Sequence, residues 1–340
     1  MPNQHISKTT NKRSVFVTQR LPNKIESRML DLFDVSINKK QLALTSDEII
    51  QACIGKQVLV SSIIDPLDAD LINSLPQTIK LIAQFGNGVD NIDIKAANAR
   101  SIIVTNTPSV LTNDTADMAM ALILALPRRL AEGARVLTGK GQWAGWSPTW
   151  MLGARLAGKS LGIIGMGRIG TAVAQRAKAF GINIHYYSRT KRPPEIELPL
   201  EAKYWPDLDD MLAHVDIVSL HTPLTKDSFK LMNKTRLAKM KPDAFLINVS
   251  RPELLDEDAL VELIEAEKLG GAALDVFEQE NGINPKLIAL AKENKVLLTP
   301  HMASATLESR IEMGEIVIVN IKTYLDGHRP PHRVLPEIIG

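Results

Sequence analysis

Residues 161–170 read Leu-Gly-Ile-Ile-Gly-Met-Gly-Arg-Ile-Gly, an apolar run that enters glycines at 165, 167 and 170. Good helix formers fill 169–180 and Gly181 follows as a stop signal. A strand that turns abruptly into a helix leaves the first helical N–H groups facing whatever lies above the turn. Gly165 permits the tight turn, Gly167 lets phosphates approach the backbone, and Gly170 lets helix and strand pack closely. The strand before and the helix after make this spacing a prediction of a dinucleotide-binding βαβ unit.

The rest of the chain repeats that alternation. Buried strands are expected at 15–18, 58–61, 81–84 and 102–106, with helices at 25–33 and 47–54 between them. A second series of strands, at 161–164, 183–187, 217–221, 244–249, 272–275 and 296–299, follows near residue 160. The predicted class is α/β: two doubly wound parallel-sheet domains, Rossmann- and flavodoxin-like, separated by a cleft. A final helix at 307–325 belongs to neither series and is expected to return to the first domain. That divides the chain into a leader at 1–13, a substrate-binding domain at 14–108 plus 305–340, and a dinucleotide-binding domain at 109–304.

Composition narrows the partners. A net charge of +2 with no long basic run argues against a nucleic-acid footprint. The one cysteine, Cys53, sits in an apolar helical stretch and reads as a buried thiol with no disulfide. The first thirteen residues are polar and basic with no apolar core, and no stretch is long enough to span a bilayer. A cytoplasmic protein with a short disordered leader and no membrane contact is the expectation.

An NAD enzyme usually places a carboxylate against the ribose 2′-hydroxyl at the end of the strand that follows the glycines. Here Tyr187 is followed by Ser188, Arg189, Thr190, Lys191 and Arg192, so hydroxyls and guanidinium groups stand where a carboxylate would repel a 2′-phosphate. NADP is favoured, with NAD a weaker possibility, and a plain solvated loop is the alternative reading. In an open α/β sheet the reactive groups lie at the C-terminal ends of the strands. Arg251, Glu280 and His301 all follow such ends. A guanidinium can fork onto a carboxylate, an imidazole can give a proton to a carbonyl oxygen, and a carboxylate can keep that ring charged.

Several ordered segments carry a resemblance: 86–93 (Gly-Asn-Gly-Val-Asp-Asn-Ile-Asp), 106–112, the glycine fingerprint, 221–225 (His-Thr-Pro-Leu-Thr), 248–251 (Asn-Val-Ser-Arg), 274–280 and 299–306. In these the chain, from about residue 14 onward, resembles the D-isomer-specific 2-hydroxyacid dehydrogenases, in their glyoxylate/hydroxypyruvate reductase branch. The resemblance implies NADPH-dependent reduction of a small 2-keto acid, with Arg251, Glu280 and His301 as the catalytic trio. It places Asn87 and Gly88 on the substrate carboxylate through their N–H groups. It assigns the coenzyme to Gly165, Met166, Gly167, Arg168, Ile169, Gly170, Ser188, Arg189, Thr190, His221, Thr222, Pro223, Val249, Ser250, Asp275, His301 and Ala303. Residues 143–150, with Trp143, Trp146 and Trp150, resemble the branch's aromatic stretch in a region that forms a homodimer arm, and Trp146 is the candidate to cap a neighbour's substrate site.

Two positions depart from the family pattern: Pro252 stands where Gly is usual after the Arg, and Asn281 where Pro is common after the Glu. Proline biases Arg251 toward an extended backbone and so bears on the geometry of its loop. An NAD-dependent D-2-hydroxyacid, phosphoglycerate or formate dehydrogenase is the nearest alternative. A cofactor-sensing binding module on the same fold is the alternative from another class.

Overall fold

The computed structural model describes residues 14–40, 42–139, 143–278 and 282–335, so the leader at 1–13 lies outside the described residues. It divides into two compact units, one taking in the chain up to Leu111 and from Thr306 onward, the other running from Thr112 to Ala305.

In the first unit β1 (Ser14–Val17), β2 (Asp34–Ile37), β3 (Val58–Ser62), β4 (Leu81–Phe85) and β5 (Ile103–Thr105) form one sheet in the order β2-β1-β3-β4-β5. All the pairings are parallel. Both faces of its central strands are covered, so their sequences run apolar without interruption. Phe16, Leu59, Ile82 and Val104 pack on one face. Val15, Val17, Val58, Val60, Leu81 and Ala83 pack on the other, under helices Asn23–Leu32 and Leu307–Leu325. Gly314 lets that last helix close on Ile25, whose Cγ1 would lie 2.5 Å from an added Cβ. The chain beyond it returns to the sheet, where Val334 N–H donates to the Val104 carbonyl and shields the β5 edge.

The second unit holds β6 (Ser160–Ile164), β7 (Asn183–Tyr187), β8 (Lys203–Tyr204), β9 (Ile217–Leu220), β10 (Phe245–Asn248), β11 (Gly271–Leu274) and β12 (Val296–Leu298), in the order β12-β11-β10-β9-β6-β7-β8. This sheet is also wholly parallel. The strand order reverses at β6, and such a switch point opens a crevice above the carboxyl ends of the strands.

Two strands are additions to the sequence reading. β2 has alternating exposed and half-buried residues and follows its helix with no turn signal, and β8 is two residues long. Both are edge strands, which carry little of the apolar signal that marks a buried one.

Candidate active site

The glycine turn follows β6, where Gly165 takes φ +98 and its N–H donates to the Tyr187 carbonyl at 2.9 Å. A Cβ there would lie 2.7 Å from the His221 carbonyl carbon, so only glycine lets this turn cross the chain leaving β9. A Cβ at Gly170 would press on the Gly165 carbonyl. Gly167 differs, because an added Cβ there meets nothing within 4 Å among the described residues. It is also the N-cap of helix Arg168–Ala179 and has no side chain with which to cap it. The side chains of Met166, Val249 and Ala303 are buried in one apolar cluster, which leaves these three their main chain to offer a ligand.

The neighbouring strand ends complete a cradle. Ser188 and Thr190 follow β7, with Ser188 Oγ donating to the Thr190 carbonyl at 2.7 Å, while Arg189 and Thr190 are exposed. His221 follows β9 and shares a 2.8 Å hydrogen bond between Nε2 and Ser219 Oγ. Its Nδ1 is buried and without a hydrogen-bond partner among the described residues, and burial pushes the ring down to about 4, so it is neutral at physiological pH. Ser250 Oγ donates to the Thr222 carbonyl at 2.7 Å, tying the end of β10 to the 222–223 segment beyond β9.

Arg251 leaves β10 with φ −140 and ψ 141, and Pro252 opens a short 3-10 turn, Pro252–Leu254. The extended backbone is the one a following proline favours. Buried Asn248 holds the loop from below: Nδ2 donates to the Arg251 carbonyl at 2.8 Å and Oδ1 accepts from Ser250 N–H at 3.0 Å.

His301 lies on the loop after β12 and takes φ +50, a left-handed conformation that costs a residue with a Cβ about 1 kcal/mol or more. Asp275, fully buried beyond β11, holds it there. Asp275 Oδ1 accepts from Thr299 Oγ1 at 2.6 Å and from Met302 N–H at 2.9 Å, and Oδ2 accepts from Ala303 N–H at 2.8 Å. The His301 N–H donates to the Asp275 carbonyl at 2.9 Å. The Asp275 carboxylate is thus engaged by the loop that carries His301. The sequence reading placed it at the coenzyme without seeing this clamp.

The strand ends of this one sheet therefore bring together the glycine turn, 188–190, 221–223, 249–251, Asp275 and 301–303. Asn87 and Gly88 belong to the other unit, on the loop beyond β4. Trp146 is 83% exposed on the segment after helix Leu130–Thr138. Glu280, and Asn281 beside it, lie outside the described residues. The orienting role of the buried amides Gln84 and Asn248 is not part of the sequence reading, although each is a polar residue closing an apolar run, which is the signal for it.

A model of the D-isomer specific 2-hydroxyacid dehydrogenase NAD binding domain matches residues 120–303. The chain belongs to this family. It is 40% identical to a glyoxylate reductase of Thermococcus litoralis, over 96% of this chain and 98% of that one. It is 41% identical to a glyoxylate reductase of Korarchaeum cryptofilum, over 96% and 97%. Among solved structures it is similar to an NADPH-dependent glyoxylate/hydroxypyruvate reductase from Sinorhizobium meliloti in complex with NADP and malonate, with TM-score 0.81, 30% identity and coverage of 95% and 97%. A 2-hydroxyacid dehydrogenase works with a nicotinamide dinucleotide, and this sheet fits one. The open space over Gly167, the helix N-terminus without a side-chain cap and the orphaned His221 Nδ1 are features that the chain's own packing leaves unexplained.

Proposed function

We propose that this 2-hydroxyacid dehydrogenase reduces a short 2-keto acid, glyoxylate or hydroxypyruvate, with NADPH in preference to NADH. The observation that carries the coenzyme choice is the end of β7. The Gly165–Tyr187 hydrogen bond sets that end beside the glycine turn, and the next five residues are Ser, Arg, Thr, Lys and Arg. The segment offers a 2′-phosphate hydroxyl, guanidinium and ammonium donors and no carboxylate of its own, the nearby Glu197 being paired with Lys191 at 3.4 Å. The substrate class rests on the relatives named above and on Arg251 and His301 at the ends of β10 and β12, the two strands that flank β11.

In this reading the unit from Thr112 to Ala305 binds the dinucleotide and the other unit the substrate. The nicotinamide, when bound, supplies the hydride. The Arg251 guanidinium forks onto the substrate carboxylate and polarises the adjacent carbonyl, held in register by Asn248. His301 gives its ring proton to the carbonyl oxygen as negative charge develops there, and Glu280, assigned by the family pattern, supports the charged ring. Asp275 keeps the His301 loop in its strained conformation. In the oxidation direction the neutral ring takes the proton back.

The same reading includes a homodimer. Helix Leu130–Thr138 has no buried residue, and Leu130, Leu137, Trp143, Trp146 and Trp150 are all exposed, so a second copy of this chain would cover them. Sedimentation of a monomer at micromolar concentration would remove that part.

The deciding experiment measures kcat/KM for a panel of 2-keto acids with each coenzyme. Glyoxylate and hydroxypyruvate with NADPH should lead, and Ser188→Asp should move the preference toward NADH through like-charge repulsion. Equal or better performance with NADH in the wild type would defeat the coenzyme assignment, and better performance with phenylpyruvate would defeat the substrate assignment.

A further inference from the structure

Beyond β4 the chain passes through Gly86, Asn87, Gly88, Val89 and Asp90 to Asn91, and a polar network grips this loop from two sides. Gln84 is completely buried and every polar atom of its side chain is used. Ser61 Oγ donates to Oε1 at 2.7 Å, while Nε2 donates to Asn91 Oδ1 at 2.8 Å and to the Gly88 carbonyl at 3.3 Å. Asn91 Nδ2 donates in turn to the carbonyls of Ser62 at 3.0 Å and Asp65 at 2.8 Å. Those two acceptors are fixed because Asp65 Oδ2 accepts from Thr18 Oγ1 at 2.6 Å, Ser62 N–H at 2.6 Å and Ser62 Oγ at 3.0 Å. On the other side, Asn106 Nδ2 donates to the Asn87 carbonyl at 2.7 Å, and Thr107 N–H to the Gly86 carbonyl at 2.9 Å.

Three successive carbonyls, of Gly86, Asn87 and Gly88, are therefore turned toward donors of their own unit. In a trans peptide the N–H of the next residue points the opposite way from the carbonyl. The N–H groups of Asn87 and Gly88 face away from Thr107 and Asn106, that of Val89 faces away from Gln84, and among the described residues none of them is hydrogen-bonded. Successive free N–H groups form a receptor for an anion.

We propose that Gln84 and Asn91, with Asn106, are positioning residues that hold this loop carbonyls-inward so that its N–H groups read the carboxylate of the keto acid. The inference rests on the reading of Asn87 and Gly88 as the carboxylate's partners and deepens it. The residue type matters, since only an amide can donate to the Gly88 carbonyl and Asn91 Oδ1 while accepting from Ser61. A carboxylate at 84 would repel both acceptors and oppose the anion that the loop receives.

The test uses the full chain carrying Gln84→Met, Gln84→Glu, Asn91→Ala or Asn106→Ala, with glyoxylate compared against its neutral methyl ester at saturating NADPH. Loss of one or two hydrogen bonds to the loop should lower kcat/KM for glyoxylate about 10- to 100-fold, mainly through KM, and that for the ester by less than about 3-fold. KM for NADPH should stay within about 2-fold, and the Kd for oxalate, measured by calorimetry, should rise in step with the glyoxylate KM. Asn106→Ala removes a contact on the exposed side of the loop and keeps the test valid should the buried variants fold poorly. If acid and ester fall together, or if oxalate binding is unchanged in folded variants, the positioning role is overturned. A wild type that binds oxalate through this network but turns over no keto acid would instead overturn the functional reading and leave the positioning role standing.

Discussion

Arg251 and His301 show two ways in which one residue's backbone prepares its side chain. Arg251 is extended because Pro252 follows it, and Asn248 fastens its carbonyl. A lysine keeps the charge but lacks the planar fork, so Arg251→Lys should lower kcat/KM for glyoxylate on the order of 100-fold, the worth of one charge-assisted hydrogen-bond pair. Steady-state kinetics with an unchanged KM for NADPH would locate the loss at the substrate; a variant within a few-fold of wild type would refute the contact. His301→Ala should cost both directions roughly 10²–10⁴ in rate, the usual size of a general acid–base contribution. A fully active His301→Ala would end the proposed mechanism. That these two residues follow strand ends was legible in the sequence, since each comes after an apolar run. The proline effect on Arg251 was legible too, because it is a local steric rule that needs no tertiary contact.

At the scale of an element, the loop after β12 illustrates what local rules leave out. Its left-handed turn at His301 is maintained by a carboxylate 26 positions earlier in the chain, at the end of the adjacent strand β11. Asp275→Asn nearly preserves shape, but it places an N–H₂ group where one of the loop's donors needs an acceptor. Loosening of the loop should lower kcat about 10-fold or more while the glyoxylate KM changes little, because His301, the proposed proton donor, moves and Arg251 does not. Kinetics on Asp275→Asn with Tm measured alongside would check this, and a rise in KM with kcat intact would point instead to a direct role in binding. The β4 loop follows the same logic, since a buried polar side chain at a strand end is spent on orienting the next segment. Periodicity finds such strands but not the partners of their terminal polar residues.

For the molecule as a whole, two histidines, His185 buried and His221 half-buried with its Nδ1 out of contact with solvent, should make stability depend on pH. Burial pushes His221 down to about 4. His185 is also lowered to about 4, first by burial and then by the charges of His214 and Lys203 against that of Asp216, while Trp205 Nε1 donates to its Nδ1 at 2.9 Å. Each folded value lies below the unfolded one, so the stability that the neutral rings contribute is present above about pH 6.5 and is lost as pH falls toward 4. Near pH 5 the loss should be on the order of 1–2 kcal/mol per histidine. Denaturant unfolding at pH 7.5 and 5 should show it, and His221→Gln should shrink the difference between the two; an unchanged difference would count against a buried neutral ring. The sequence by itself determined the α/β class, most of the buried strands, the glycine turn and the candidate residues at strand ends. These depend on apolar periodicity and on steric limits within a few residues. Only the tertiary structure decided the edge strands β2 and β8, the Asp275 clamp on His301 and the inward-turned carbonyls of the β4 loop. Those rest on hydrogen bonds between segments far apart in the chain, and satisfying a buried polar group depends on which strands the fold makes neighbours.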